Sequence, residues 1–266
     1  MDTLRIYLKL IGISMRSRLQ YRADFVTGII SVIVLNAVNL TLIGILVNRF
    51  VHLNGWGLWE MVFLYSFWVM SHSLYSLLFW HFNTMEDHIV QGTFDQFLLR
   101  PIGTLVQFLG REIQYIGIGD VIVGATGLTL AYSHLHLDWG IYEYTWLVVS
   151  VLSGTLVETA IAWIISSLSF WTTRSMSAFF VMMRLNALTQ QYPIDIFGTW
   201  FRVVVTGLIP VAFINYYPSL LLLGKTEQAG SWGWLGMMSP VVAVLLLGIA
   251  LLVWNRALRR YSSTGS

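Results

Sequence analysis

Residues 145–170 read TWLVVSVLSGTLVETAIAWIISSLSF, with a single charged side chain, Glu158. The hydrocarbon core of a bilayer is about 30 Å thick and takes roughly 20 apolar residues as a helix. This stretch is long enough to cross it. A helix is the form required, because hydrocarbon offers no water to satisfy a bare backbone. Working outward, the same pattern recurs at 25–47, 60–80, 113–131, 201–223 and 237–254, which predicts six spans. The fifth is interrupted by Pro210 and Pro218, so it ends near Tyr217 if a short re-entrant segment follows.

Composition agrees. Of 266 residues, 56% are hydrophobic and 11% charged, whereas a soluble domain carries roughly 25% charged residues. So little charge cannot solvate a globular surface, and lipid must cover much of it. No polar block is long enough to fold a second domain, so 1–266 is expected to be one transmembrane unit. The net charge of +2 gives a nucleic-acid partner no support. Cysteine is absent, which excludes disulfides, thiolate catalysis and cysteine–zinc sites. Residues 1–22 are basic and lack a continuous apolar run, so they carry no cleavable-signal pattern.

Lys and Arg in the connections set the orientation. With the N-terminus inside, Arg5, Lys9, Arg16, Arg18, Arg22, Arg100, Arg111, Arg174, Arg184, Arg202, Arg256, Arg259 and Arg260 are cytoplasmic, and only Arg49 and Lys225 lie outside. Tryptophan supports the same frame. Trp56, Trp59, Trp139, Trp146, Trp232 and Trp234 flank outer ends, and Trp80, Trp171, Trp200 and Trp254 flank inner ones. Both termini are therefore expected in the cytoplasm. Within residues 1–22, Leu4, Tyr7, Leu8 and Ile11 fall at helical spacing with Arg5 and Lys9 turned elsewhere. That pattern fits an amphipathic helix over 4–20 lying on the cytoplasmic interface against lipid, or an ordinary basic anchor.

Two carboxylates lie inside predicted spans, where an ionised group must face protein or water. Asp120 shares a face with Ile116, Gly124, Gly127 and Ala131, and Glu158 lies in the row Ser150, Gly154, Ala162, Ser166. Small-residue rows let helix backbones approach, so packing contacts are favoured over a polar transport lining. Asn36 and Asn39, three apart on the first span, read as interhelical hydrogen-bond partners.

Several catalytic patterns fail. Gly224-Lys225-Thr226 ends like a phosphate loop, but Ser219 stands where its first glycine belongs. Ser153-Gly154 lacks the glycine a nucleophile elbow needs at 151, which is Val151, and His72 has no assigned orienting acid. His134, His136 and Asp138, like His81, Glu86, Asp87 and His88, lack the spacing of a known metal site. No metal and no cofactor is expected on this chain.

The connection after the second span, 81–104, is unlike the others. It mixes Glu86, Asp87 and Asp95 with Ile89, Val90, Phe94, Phe97, Leu98 and Leu99, as a helix offered to a partner's groove would. Gly92 should break a short helix over 84–91, and Pro101 should restart the chain toward the third span. The run Gly92-Thr93-Phe94-Asp95-Gln96-Phe97-Leu98-Leu99-Arg100-Pro101 resembles the Gly…Asp…Leu-Leu-Arg-Pro signature of ABC-2 exporter permeases of the single-domain bacterial branch. Ile209-Pro210, Tyr217-Pro218 and Leu223-Gly224 look like that branch's fifth-span pattern.

The resemblance implies a multi-pass permease of a prokaryotic cytoplasmic membrane, paired with a second identical or homologous permease. Two cytosolic ATPase subunits would carry ATP and Mg. Residues 84–100 would contain the coupling helix, with Glu86, Asp87, Gly92, Phe94, Asp95, Phe97, Arg100 and Pro101 as docking residues and Phe94 as the anchor. The segment 172–199 is expected as a second cytoplasmic connection. A membrane scaffold without transport and an intramembrane enzyme are the rival readings.

Overall fold

The computed structural model describes residues 12, 20–50, 54–99, 103–110, 113–172 and 174–261. The expected interfacial helix over 4–20 lies outside the described residues but for two isolated positions, and Arg100 and Pro101 lie outside them too.

Among the described residues every regular element is helical. Helix α1 spans Arg22–Phe50 and α2 Leu58–Phe79, continued by a 3-10 turn, Trp80–Thr84. The short helices α3 (Met85–Val90), α4 (Asp95–Leu98) and α5 (Thr104–Leu109) lead to α6 (Gly117–Leu135). Helix α7 spans Ile141–Ser167, followed by α8 (Ser169–Thr172) and α9 (Met176–Gln191). Helix α10 (Thr199–Val203) runs into a π turn at Val204–Leu208, and a 3-10 turn at Val211–Phe213 precedes α11 (Tyr216–Leu222). A 3-10 segment, Thr226–Met237, leads to α12 (Ser239–Leu258).

By length and composition, α1, α2, α7 and α12 can each cross a membrane, and the bent pair Thr199–Leu208 and Val211–Leu222 makes up to five. The protein is an all-helical, multi-pass membrane protein. In the apolar stretches of α2 and α7, 61% and 67% of residues are buried, against 11% in α1 and 22% in α12. Helices α2 and α7 therefore form the interior, and α1 and α12 turn apolar faces outward. Helix α6 is less apolar than its neighbours because of Asp120 and its glycines, yet it packs closely on α2. A Cβ on Gly124 would stand 2.9 Å from the backbone nitrogen of Met70, and one on Gly117 would stand 2.9 Å from the carbonyl oxygen of Ser73. Absence of side chains is what brings the two backbones together.

At one end of the bundle, α2 and α7 begin alike. Glu60 Oε2 accepts the Gly57 N–H at 2.7 Å, and Glu143 Oε2 accepts the Gly140 N–H at 2.8 Å. Each glutamate satisfies a backbone donor that the helix start leaves open.

The expected fifth span, 201–223, is bent, and a further helix, α9, precedes it. Helix α9 starts beside Glu86, whose Oε2 accepts N–H groups of Ser175 and Met176 at 2.5 and 2.6 Å. It ends beside α1, where Gln191 Nε2 donates to Asn39 Oδ1 at 3.4 Å. Just beyond, Asp195 Oδ2 accepts from Asn54 Nδ2 and Trp56 Nε1 at 3.1 and 3.2 Å. Asn54 and Trp56 belong to the turn joining α1 to α2, so residues 175–195, α9 with the turn that follows it, run from one end of the bundle to the other. The segment 172–199 is thus not a connection confined to one end.

The stretch 201–223 has contacts to one region at both of its ends. Asp195 before it meets the 54–57 turn, and Lys225 after it meets the same turn through Gly55 O and the first turn of α2 through Glu60 Oε2, each at 2.8 Å. Its two limbs bend by 81° near Pro210, which is buried and lines a cavity together with Ile161, Ala178 and Met182. Proline supplies no N–H and stops the π turn from continuing. Thr206 Oγ1 and Tyr217 OH, 2.8 Å apart, brace one limb against the other.

Candidate functional site

The connection after α2 is folded onto the bundle. Gly92 adopts φ +67°, which ends α3 and turns the chain into α4. Met85, Ile89, Phe94 and Phe97 point inward and are buried. Phe94 is fully buried, with its ring edge-on to Phe170 at 4.9 Å, Tyr261 at 5.3 Å and Trp254 at 6.3 Å. The expectation of Phe94 as an anchor in a partner's pocket is therefore corrected, because its ring is spent joining α4 to α8 and α12. Phe97 packs on Phe94 and Phe108. Among the described residues of this connection, Asp87, Val90, Gln91, Gln96, Leu98 and Leu99 have exposed side chains.

Two of the loop's three acids, Glu86 and Asp95, have partners within the chain. Glu86 holds the start of α9, as above, and Asp95 Oδ1 accepts the Tyr261 hydroxyl at 2.8 Å. Burial and then Asp95 itself push the Tyr261 phenol up to about 12, so the hydroxyl stays a donor. Glu86 and Asp95 therefore fix the loop to α9 and to the end of α12.

In the bundle interior, Asp120 and Asn36 meet. Asn36 Nδ2 donates to Asp120 Oδ1 at 2.9 Å, and Tyr65 OH donates to Asn36 Oδ1 at 2.7 Å. Asn39 Nδ2 donates to Tyr65 OH at 3.1 Å, which extends the chain of contacts to Gln191. Helices α6, α1, α2 and α9 are thereby joined through buried polar groups. Buried polar side chains are for the most part bonded in this way.

Glu158 forms a second node. Only 1% of it is exposed, its Oε1 lies 2.9 Å from His72 Nδ1, and Asn186 Nδ2 donates to the same oxygen at 3.2 Å. Trp68 stacks on His72 at 4.5 Å and fixes the ring's orientation. The acid that orients His72 was missed in the sequence because it comes from α7, and Asn186 was missed because its segment read as a loop. Gly154, one turn before Glu158, lies against Ser71 and the Ile214 carbonyl. The carboxylate row is thus a seam between α7, α2 and the re-entrant segment.

An interior of bonded polar nodes inside a multi-pass helical bundle, with a structured loop at one end, is the build of a membrane transport subunit. The family model for ABC-2 family transporter proteins matches residues 33–265, and the chain belongs to that family. Membership makes it a permease component of an ABC transporter, whose family partners are ABC ATPase subunits. No curated protein and no solved structure matches the chain.

Proposed function

We propose that this chain is the membrane subunit of an ATP-driven exporter, working as a pair of permeases above two cytosolic ATPases that bind ATP and Mg. It crosses the membrane six times, by α1, α2, α6, α7, α9 and α12, with both termini in the cytoplasm. Residues 199–222 re-enter from the outer side and return to it. This arrangement keeps the basic residues of the loops mostly inside, while Arg202 joins Arg49 and Lys225 toward the outside.

The observation that carries the coupling role is the two-faced loop 85–99. Its inner face is locked to α8, α9 and α12, and its outer face offers Val90, Leu98 and Leu99 beside Asp87. An ATPase seated there would push on α9 through Glu86 and on α12 through Asp95 and Phe94. The movement would bias an inward–outward equilibrium.

Changing Val90 and Leu99 together to aspartate should abolish recovery of the ATPase with the detergent-solubilised permease, while insertion and pairing persist. Both side chains are exposed, 55% and 84% respectively, so the permease itself has little to lose. Undiminished recovery would move the docking surface elsewhere.

A further inference from the structure

Helix α9 buries Phe179, Met182, Asn186 and Thr189. Its opposite face turns Phe180, Met183, Arg184 and Leu188 outward. At 3.6 residues per turn, two residues span about 200°, so Arg184 points away from Asn186 and from the Glu158–His72 pair. Arg184 follows Ser175 by nine residues and precedes Gln191 by seven, about 14 Å and about 10 Å along the axis. It therefore sits near the middle of the segment 175–195, which runs from one end of the bundle to the other. Among the described residues Arg184 makes no hydrogen bond or ion pair.

A cation at that depth is costly against hydrocarbon, and such residues face a partner or water. The other charged groups at this level, Glu158 and His72, are already joined to each other. A second copy of this chain, placed on α9 by a two-fold axis, would bring another Arg184 and no counter-charge.

We propose that the exposed face of α9 lines the transport path and that Arg184 is a binding group for an anionic amphiphile. A carboxylate, sulfonate or phosphate would take the guanidinium fork, and the apolar body would lie along Phe180, Met183 and Leu188. The inference rests on the permease reading and names its substrate class.

The chain has no cysteine, so Leu188→Cys creates a single thiol one turn from Arg184. The full chain with its ATPase, in phosphatidylcholine vesicles, is treated with methanethiosulfonate reagents carrying a sulfonate or a trimethylammonium group. Relative to the ratio the two reagents show on a free thiol in solution, the sulfonate should be favoured about tenfold, as a unit charge roughly 6 Å away in water dictates, and Arg184→Gln should remove the preference. Decyl sulfate below vesicle-disrupting concentrations should slow the reaction in the arginine protein only. If phosphatidylglycerol protects and decyl sulfate does not, the anion is a lipid headgroup on the same arginine. If neither charged reagent reacts, or the preference survives Arg184→Gln, the proposal is overturned. None of these rates depends on ATPase recovery, so loss of the partner would sink the permease reading separately.

Discussion

Glu86 Oε2 and the backbone nitrogen of Met176 stand 2.6 Å apart, which fastens the loop after α2 to the first turn of α9. The carboxylate also accepts the Ser175 N–H, so it satisfies two donors that a helix start leaves open and lies at the positive end of the helix dipole. Loss of such a cap costs about 1–2 kcal/mol. Melting temperature in detergent should fall from wild type through Glu86→Gln to Glu86→Ala. ATPase recovery should persist in both variants, while ATP-driven transport drops further than stability does. Equal melting for all three proteins would mean that the contact is incidental.

Helix α9 as the fifth crossing makes a topological prediction that differs from the charge count. Single cysteines at Asn54, Gln228 and Thr199 should all label from outside intact cells, and one at Thr93 only after permeabilisation. The Thr199 site discriminates, since the sequence alone places it in the cytoplasm. Labelling of Thr199→Cys solely after permeabilisation would restore a fifth span at 201–223.

That discrepancy shows what sequence can carry. Four spans are legible because α1, α2, α7 and α12 are long and apolar whatever their neighbours are. Helix α9 has only 16 residues and includes Arg184, Asn186, Gln190 and Gln191, so its hydropathy reads as a loop. Its polar side is satisfied by Glu158 and Asn39, residues far away in the chain. The 201–223 run is more apolar, but its prolines let it bend, and only contacts with the 54–57 turn reveal that both of its ends meet one region. The loop 85–99 was legible as unusual from its mixture of acids and apolar residues. Which of those apolar residues face a partner was not, because Phe94 packs on Phe170 and Trp254 from distant helices.

Glu158 should tolerate an amide better than a hydrocarbon. Glu158→Gln keeps an oxygen for His72 and Asn186, whereas Glu158→Leu strands both donors in the interior at about 1–3 kcal/mol for each unsatisfied group. Thermal unfolding of the purified permease should show a small loss for the amide and a large one for leucine. Matching transitions would indicate that the node contributes nothing to assembly.

The α6–α2 contact makes a comparison between glycines. A methyl at Gly124 meets the Met70 backbone at 2.9–3.0 Å, while one at Gly248 on α12 meets nothing within 4 Å. Gly124→Ala should therefore force the helices apart and destabilise by about 1–3 kcal/mol. Gly248→Ala should be neutral or stabilising by up to about 1 kcal/mol, the helix-propensity difference. Unfolding midpoints of the two variants, measured in one detergent, check the sign of each. A Gly124→Ala protein as stable as wild type would show that the close approach is not needed.

Asp195 lies in the turn that follows α9. Asp195 accepts from Asn54 and Trp56, yet burial raises its pKa, with the Trp56 hydrogen bond pulling the other way. A carboxyl whose folded value is raised holds its proton more tightly in the native state than in the unfolded one. Its contribution to stability is complete below the unfolded value of about 4 and is lost as pH rises through the folded value. Asparagine at this position still accepts from Trp56 and does not titrate. The melting temperature of Asp195→Asn relative to wild type should therefore climb as pH goes from about 4 to 7, with the variant the more stable at neutral pH. A wild-type protein that gains on the variant over that range would mean that Asp195 is held as a favourable carboxylate, and that its bonds to the 54–56 turn outweigh its burial.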